Sequence, residues 1–134
     1  MCKEIVRRDA ALRQSLSTTS RSPRGPEKDG VDYYFVSEAE FVRRIDAGMF
    51  VEHAQFGGSR YGTEVRNIDL ARAANADLLL AIDVQGADAL KSQFPEMAVT
   101  ICVFPPSFAV LEERLRNRGT ESEERIAERM RIAE

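Results

Sequence analysis

Leu78-Leu79-Leu80-Ala81-Ile82-Asp83 is a nearly continuous apolar run that closes on a carboxylate. A run of this kind, without alternating polar residues, is typical of a strand buried on both faces of a parallel sheet. Val99-Thr100-Ile101-Cys102-Val103-Phe104 has the same character, and the segment from about Gln85 to Lys91 between the two runs favours a helix. The three segments predict a βαβ crossover and therefore an α/β fold.

Shorter elements are predicted on the N-terminal side of this crossover. Serine and glycine mark two boundaries, because Ser37-Glu38-Ala39-Glu40 forms a capping box and Gly48 is placed to end the helix that it opens. In chain order we expect a helix at 2–13, an exposed loop at 17–32, a strand at 33–36, the capped helix, a strand at 49–56 closed by a Gly57-Gly58 turn, and a helix at about 64–75.

Two helices are predicted on the C-terminal side. Pro105-Pro106 stops the second apolar run, and Ser107 caps a helix that Gly119 ends. Thr120-Glu121-Ser122-Glu123 is a further capping box, and its helix continues to Glu134.

Composition excludes several classes of protein. The 134 residues, 43% hydrophobic and 31% charged, are ordinary for a globular domain, and a net charge of −3 argues against a general nucleic-acid binder. No apolar stretch is long enough to span a bilayer, and the charged residues 3–8 do not suit a signal peptide, so we expect a cytoplasmic protein without a membrane partner. Cys2 and Cys102 make no disulfide framework, and Cys102 is predicted to be a buried, reduced thiol.

The loop at residues 17–27 is the stretch richest in chemistry. It carries Arg21 and Arg24 three positions apart among serines and threonines, with Glu27 able to hold one arginine from behind. Guanidinium forks match phosphate oxygens in a bidentate manner, so the pattern suits a phosphate site, although a solvated basic loop would look the same. Tyr33, and Tyr61 beside Thr63, add hydroxyl groups that support the phosphate interpretation.

An ordered series of short motifs then makes a resemblance specific. S-x-x-x-R-S-P-R-x-x-E-x-D-G-x-D-Y-x-F-V is followed by F-V-E, Y-G-T, I-D-x-Q-G, P-P-S and R-x-R-G-T-E-S-E-E, from Ser17 to Arg129. This series resembles guanylate kinases. The resemblance implies the P-loop-containing nucleoside monophosphate kinase fold: a parallel-sheet core (76–106) with an inserted GMP-binding subdomain (16–75) and a helical lid (107–134). It also implies the substrates GMP and ATP, with Mg²⁺.

Roles carried over by position follow from this resemblance. Ser17, Arg21, Arg24, Tyr33 and Tyr61 would bind the GMP phosphate, with Glu27 in the same loop. Glu52 would accept hydrogen bonds from the guanine N1–H and exocyclic amine, which adenine cannot match, and Thr63 would contact the base. By itself Glu52 could be a surface glutamate at a strand end. Asp83 would orient GMP or serve magnesium through water, and it could equally be a simple helix N-cap.

The resemblance places three arginines in the lid. Arg114, Arg118 and Arg129 would offset charge on the phosphoryl group, with Arg118, Arg129 and Arg24 as the catalytic residues. By composition alone, the same helices could be solvated charged surface. His53 is expected to be structural, and no residue is expected to ligate a metal directly.

Two features depart from the family pattern. The sequence holds no G-x-x-x-x-G-K-[ST] motif for ATP phosphates, since Thr63 follows Gly62 where lysine is needed, so we expect an incomplete fold, truncated at both ends and inactive alone. Ala81 stands where an acidic residue is usual. The alternatives are a guanylate-kinase-like module that binds GMP or a phosphopeptide without catalysis, and a defective fragment. We expect a monomer or homodimer.

Overall fold

The computed structural model describes residues 1–117, 119 and 122–133, in two compact units, Met1–Val99 and Thr100–Glu134. The helices are α1 (Cys2–Arg8), α2 (Glu38–Asp46), α3 (Val65–Ala73), α4 (Val84–Gln93), α5 (Phe108–Asn117) and α6 (Glu123–Ala133). The strands are β1 (Leu12–Gln14), β2 (Thr18–Thr19), β3 (Tyr34–Phe35), β4 (Phe50–Phe56), β5 (Ser59–Glu64) and β6 (Asp77–Leu79).

A short parallel sheet joins β1 to β6, with Leu12 opposite Asp77 and Gln14 opposite Leu79. The predicted parallel strand is therefore present, although it ends at Leu79. The prediction of a helix over 2–13 is wrong beyond Arg8. Asp9 is extended and its carboxylate accepts a hydrogen bond from the Ala11 N–H at 2.9 Å, and the chain after this turn pairs with β6. A pairing partner so distant in sequence overrides a local helical preference.

The larger sheet has the strand order β3-β2-β5-β4, parallel between β2 and β3 and antiparallel elsewhere. Gly57 and Gly58 join β4 to β5 with φ of +57° and +76°, which suits a two-residue hairpin turn. That turn was predicted, but β5 itself was not. The expected exposed loop at 17–32 is also wrong at Thr18 and Thr19, which form β2 and are fully buried.

A β-bulge in the hairpin of β4 and β5 places Phe50 and Glu52 on opposite faces of the sheet. Phe50 lies opposite Glu64 and Glu52 lies opposite Thr63, so β4 contains one extra residue at Val51. Without this bulge, Phe50 and Glu52 would lie on the same face. With it, Phe50 stacks on the buried Phe41 of α2 at 4.5 Å between ring centroids, and Glu52 lies on the opposite face. We call that opposite face the site face.

Both ends of α2 form as predicted. The Ser37 hydroxyl accepts a hydrogen bond from the Glu40 N–H at 3.1 Å, as an N-cap should. At the other end, the Gly48 N–H donates to the Ile45 carbonyl and the Met49 N–H donates to the Arg44 carbonyl. These two bonds are a Schellman motif, in which Gly48 has φ of +65°.

The second unit consists of α5 packed on α6, with Leu115 and Ile126 buried between them. Ser107 accepts a hydrogen bond from the Val110 N–H, which confirms the predicted start of α5. In α6, which begins at Glu123, it is Ser122 that accepts from the Arg125 N–H, so this helix is capped by the third residue of the predicted capping box. Thr120, Glu121 and Arg118 lie outside the described residues. Within the described part of the chain, no helix is long and apolar enough to cross a membrane.

The apolar run at 99–104 forms no strand, which corrects the predicted second strand of the crossover. Ile101 is 83% exposed and Phe104 is 79% exposed. Cys102 is exposed too, so the prediction of a buried thiol is wrong. A strand needs a neighbour to pair with its backbone, and no described strand lies alongside this run.

Candidate functional site

The loop at residues 17–27, which we call the arginine loop, is organised around one ion pair. The Arg21 guanidinium donates to both carboxylate oxygens of Glu27, at 2.6 Å and 2.8 Å, and to the Ser22 carbonyl at 2.9 Å. Glu27 Oε2 also accepts from the Arg24 N–H at 2.7 Å. Glu27 therefore holds Arg21 by its side chain and Arg24 by its backbone, as the sequence suggested for one arginine.

Aromatic rings cover the Arg21 guanidinium. Its central carbon lies 4.9 Å from the centroid of Tyr33 and 5.6 Å from that of Phe35. Tyr61 packs edge-on against Tyr33 with centroids 6.3 Å apart. The Arg21 side chain is only 9% exposed, and its Nε is buried without a hydrogen-bond partner in the described part of the chain. The structure thus brings Arg21, Tyr33 and Tyr61 together.

Arg24 and Ser17 complete the arginine loop. The Arg24 side chain is half-buried, and no described residue accepts a hydrogen bond from its guanidinium. The Ser17 carbonyl accepts from the Tyr34 N–H at 3.0 Å, which pins the start of the loop to β3. Arg24 is therefore available for an anion in a way that Arg21, already paired with Glu27, is not.

Glu27 balances the charge of Arg21, and the charge of Arg24 remains over in the arginine loop. Hydrogen bonds from Arg21 are the main cause that lowers the pKa of Glu27, and the bonds to Glu27 raise the pKa of Arg21 far above its usual range. Both groups are fully charged near neutral pH as a result.

Glu52, Thr63 and Asp83 form a second cluster together with Gly86, which we call the Glu52 pocket. Glu52 and Thr63 face each other across β4 and β5, with Glu52 7% exposed and Thr63 fully buried. The Thr63 hydroxyl lies near enough to favour the charged carboxylate, but it makes no hydrogen bond of good geometry with any described residue. A buried hydroxyl left unpaired in this way is uncommon in proteins.

The first turn of α4 closes the Glu52 pocket. Asp83 caps this helix, because its Oδ1 accepts from the Gly86 N–H at 2.9 Å. The N-cap role considered from the sequence is therefore present. Burial raises the pKa of Glu52, and the charge of Asp83 raises it further. Among the described residues no arginine or lysine forms a salt bridge with Glu52, the reverse of Glu27.

The arginine loop and the Glu52 pocket share the site face. Tyr61 and Thr63 are two residues apart on β5, so their side chains project on the same side about 7 Å apart along the strand. Thr19 pairs with Tyr61, and Phe35 pairs with Thr19. These two residues therefore lie on the site face as well, which extends over β2 and β3. A ligand with an anionic end and a flat polar end would reach both clusters at once.

Sequence reasoning missed the polar network behind this face. Glu64 is 2% exposed and accepts from the Thr18 hydroxyl at 2.5 Å and from Arg44 at 2.7 Å, with Arg66 at 3.0 Å. Thr18 adjoins Ser17, so Glu64 ties the start of the arginine loop to β5 and α2. The Gly57-Gly58 turn after β4 could have revealed β5 as the second strand of a hairpin, and with it Glu64.

The lid arginines belong to the second unit. Arg114 is an exposed residue of α5, Arg129 is a half-buried residue of α6, and Arg118 lies outside the described residues. Arg116, which was not predicted, bridges these helices, pairing with Glu112 at 2.8 Å and Glu123 at 3.0 Å. The roles of the three predicted arginines stay predictions.

Metal ligands are sparse in what the structure describes. No group of three histidine, cysteine, aspartate or glutamate side chains among those residues is placed to hold a metal ion. Ala81 contributes no carboxylate, and Asp83 is engaged with the Gly86 N–H. These residues alone do not fit a directly held metal.

Comparison with known proteins shows the family of the chain. The sequence profile described as guanylate kinase matches residues 5–134. The chain belongs to the guanylate kinase family. A guanylate kinase of Geobacter sulfurreducens is 45% identical over 133 residues, covering 99% of this chain and 65% of the relative. One of Myxococcus xanthus is 49% identical over 119 residues, covering 89% of this chain and 56% of the relative.

Structural comparison agrees with this assignment. The crystal structure of guanylate kinase from Anaplasma phagocytophilum superposes with a TM-score of 0.75 at 35% identity, covering 88% of this chain and 61% of that one. The predicted α/β fold of this kinase family is thereby confirmed. The chain spans about two thirds or less of the length of these three guanylate kinases.

Proposed function

We propose that the site face binds GMP and that the chain is the GMP-binding part of a guanylate kinase, which transfers a phosphoryl group from ATP to GMP with Mg²⁺. The observation that carries the proposal is the Glu52 pocket. A buried carboxylate with a raised pKa lies beside an unpaired buried hydroxyl, on the same face as an arginine loop. The family of the chain supports the same conclusion.

Guanine suits the Glu52 pocket because it offers what the pocket lacks. Its N1–H and exocyclic amine are adjacent donors that a carboxylate accepts in parallel, and the Thr63 hydroxyl would gain a partner on the base. Adenine presents an acceptor at N1, so Glu52 would meet no donor there and would stay buried and unpaired.

The phosphate would lie in the arginine loop. Arg24 would supply a free guanidinium fork. Arg21 is held in place by Glu27, and it would donate to the phosphate from the N–H groups that do not bond to Glu27. Tyr33, Tyr61 and Ser17 would donate hydroxyl hydrogen bonds. An acceptor phosphate held this way is oriented for in-line transfer, and its charge is offset before transfer begins.

The remaining parts of the enzyme are proposed from the family. ATP would supply the phosphoryl group, Mg²⁺ bound with ATP would offset negative charge, and Arg114, Arg118 and Arg129 would form the lid. We propose 16–75 as the GMP-binding subdomain, 76–106 as core and 107–134 as lid. An enzyme acting on these nucleotides is proposed to work in the cytoplasm.

Binding of three nucleotides tests the proposal. GMP offers Glu52 two donors, IMP offers N1–H alone, and AMP offers no N1–H. Calorimetry should rank GMP above IMP and IMP above AMP, with each lost donor costing on the order of ten-fold in affinity. Equal affinity for the three would contradict the assignment of Glu52.

A further inference from the structure

Gly62 and Gly86 differ from the other glycines of the chain. All eight glycines are described, and these two are the ones without positive φ. A glycine with ordinary φ gains nothing from its conformational freedom, and inside a helix or strand it is less stable than alanine by roughly 0.5–1 kcal/mol. Their presence therefore calls for a steric reason rather than a conformational one.

Both glycines lie against Glu52. A Cβ on Gly86 would lie 2.8 Å from Glu52 Oε2, 3.2 Å from its carboxyl carbon and 3.3 Å from Ile82 Cβ. A Cβ on Gly62 would lie 2.9 Å from the Glu52 carbonyl oxygen and 2.8 Å from the Phe50 ring. Carbon and oxygen atoms that are not bonded do not approach so closely, so neither position can accept a methyl group without a displacement.

The atom that would have to move differs between the two positions. At Gly62 it is the backbone of the neighbouring strand and a ring stacked in the core. At Gly86 the two closest atoms belong to the end of the flexible Glu52 side chain, and the third, Ile82 Cβ at 3.3 Å, has to give by only a few tenths of an ångström. An added methyl at Gly86 therefore displaces the carboxylate and leaves the fold intact.

We propose that Gly86 is a specificity-determining positioning residue, whose missing side chain provides the space in which the Glu52 carboxylate rests at the guanine edge. A carboxylate accepts two parallel hydrogen bonds only when both of its oxygens are correctly placed. A displaced Glu52 carboxylate therefore weakens guanine binding, whereas adenine binding, which lacks this pair of bonds, does not change. This inference rests on the proposed function of Glu52.

The test compares Gly86→Ala with a matched variant on the same helix, Asp88→Ala. Asp88 is exposed, and its replacement also raises helix propensity without approaching Glu52. Gly86→Ala should lower GMP affinity on the order of ten-fold and leave AMP affinity unchanged. Asp88→Ala should change neither. Thermal melting of Gly86→Ala should occur at or above the parent temperature, whereas Gly62→Ala should melt lower.

A shorter acidic side chain at position 52 tests whether Gly86→Ala acts by displacing the carboxylate or by disturbing the site in general. In a Glu52→Asp background the carboxylate is withdrawn from the helix, so adding Gly86→Ala should cost less than about three-fold in GMP affinity. An equal penalty in both backgrounds, or no penalty in either, overturns the inference while the proposed function stands. A parent chain that binds no GMP overturns the proposed function, and the specificity role falls with it.

Discussion

Glu27 and Glu52 serve the two ends of one face, and the protein holds them in opposite ways. Glu27 is paired with Arg21 through two hydrogen bonds, and this pairing lowers its pKa. Glu52 is buried without a cation, and burial raises its pKa. Among the described residues, the arginine loop thus keeps one unpaired positive charge, that of Arg24, whereas the Glu52 pocket keeps an unmet acceptor. The difference indicates that charge attracts the ligand at one end and hydrogen-bond matching selects it at the other.

Of the substitutions at the two ends of the site face, removal of Arg24 should have the largest effect on GMP affinity. Arg24→Ala removes a charged, bidentate partner of the phosphate and should weaken GMP by about 3 kcal/mol, and Arg21→Ala should act in the same direction. Guanosine, which has no phosphate, should bind the variants and the parent alike. Arg24→Lys should restore little, because a point charge does not reproduce the fork. Calorimetry with both ligands checks this, and intact GMP affinity in both alanine variants would show that the arginine loop is only solvated surface.

Glu52→Gln should come next and should act at the other end. Glutamine keeps the size but presents an amide, which should cost about 1–3 kcal/mol for GMP and guanosine equally. Its free energy of unfolding at neutral pH should be no lower than that of the parent, because a buried unpaired charge has been removed. A loss confined to GMP would place Glu52 at the phosphate and contradict the division between the two ends.

Thr63→Val tests the unpaired hydroxyl. Valine matches the shape of threonine, and the hydroxyl that it lacks has no good partner in the free chain, so stability should hold or rise. GMP affinity should fall by about 1 kcal/mol, since the base loses one hydrogen bond. If denaturant unfolding shows a loss of stability and GMP affinity does not change, the hydroxyl is structural.

Glu27→Gln should have the smallest effect, and the size of this effect depends on pH. The lowered pKa of Glu27 means that its pairing with Arg21 stabilises the fold above pH 4.5 and that this contribution is lost as pH falls through the folded-state pKa. The variant should be less stable at neutral pH by about 1 kcal/mol or less, because the pair is partly solvated. Melting curves of variant and parent should converge in acid. Curves that stay equally separated at all pH values would mean that the charge of Glu27 is not what matters.

Local signals in the sequence predicted local structure well. Ser37 and Gly48 mark the ends of α2, and Gly57-Gly58 marks the turn after β4. These signals are readable because capping and turn geometry depend on a few adjacent residues. The arginine loop, Tyr61 and Thr63 were identified by residue type and spacing, and the resemblance to guanylate kinases set them in one site.

Features that depend on distant partners were not predictable in the same way. β1 forms because β6 lies beside it, and the run at Val99–Phe104 stays unpaired although its composition suits a strand. The bulge at Val51 leaves no local signal, yet it puts Glu52 rather than a core residue on the site face. Gly86 resembles any helical glycine until Glu52 is found against it.

The pKa of Glu52, followed by carbon-13 NMR of its carboxyl group without and with GMP, tests the central claim most directly. In the free chain it should exceed the ordinary value of 4.5, because the carboxylate is buried without a cation. Saturating GMP should lower it, since two donors then favour the charged form, and AMP should not. An ordinary pKa in the free chain, or a raised pKa that GMP leaves unchanged, would contradict a pocket built to receive guanine.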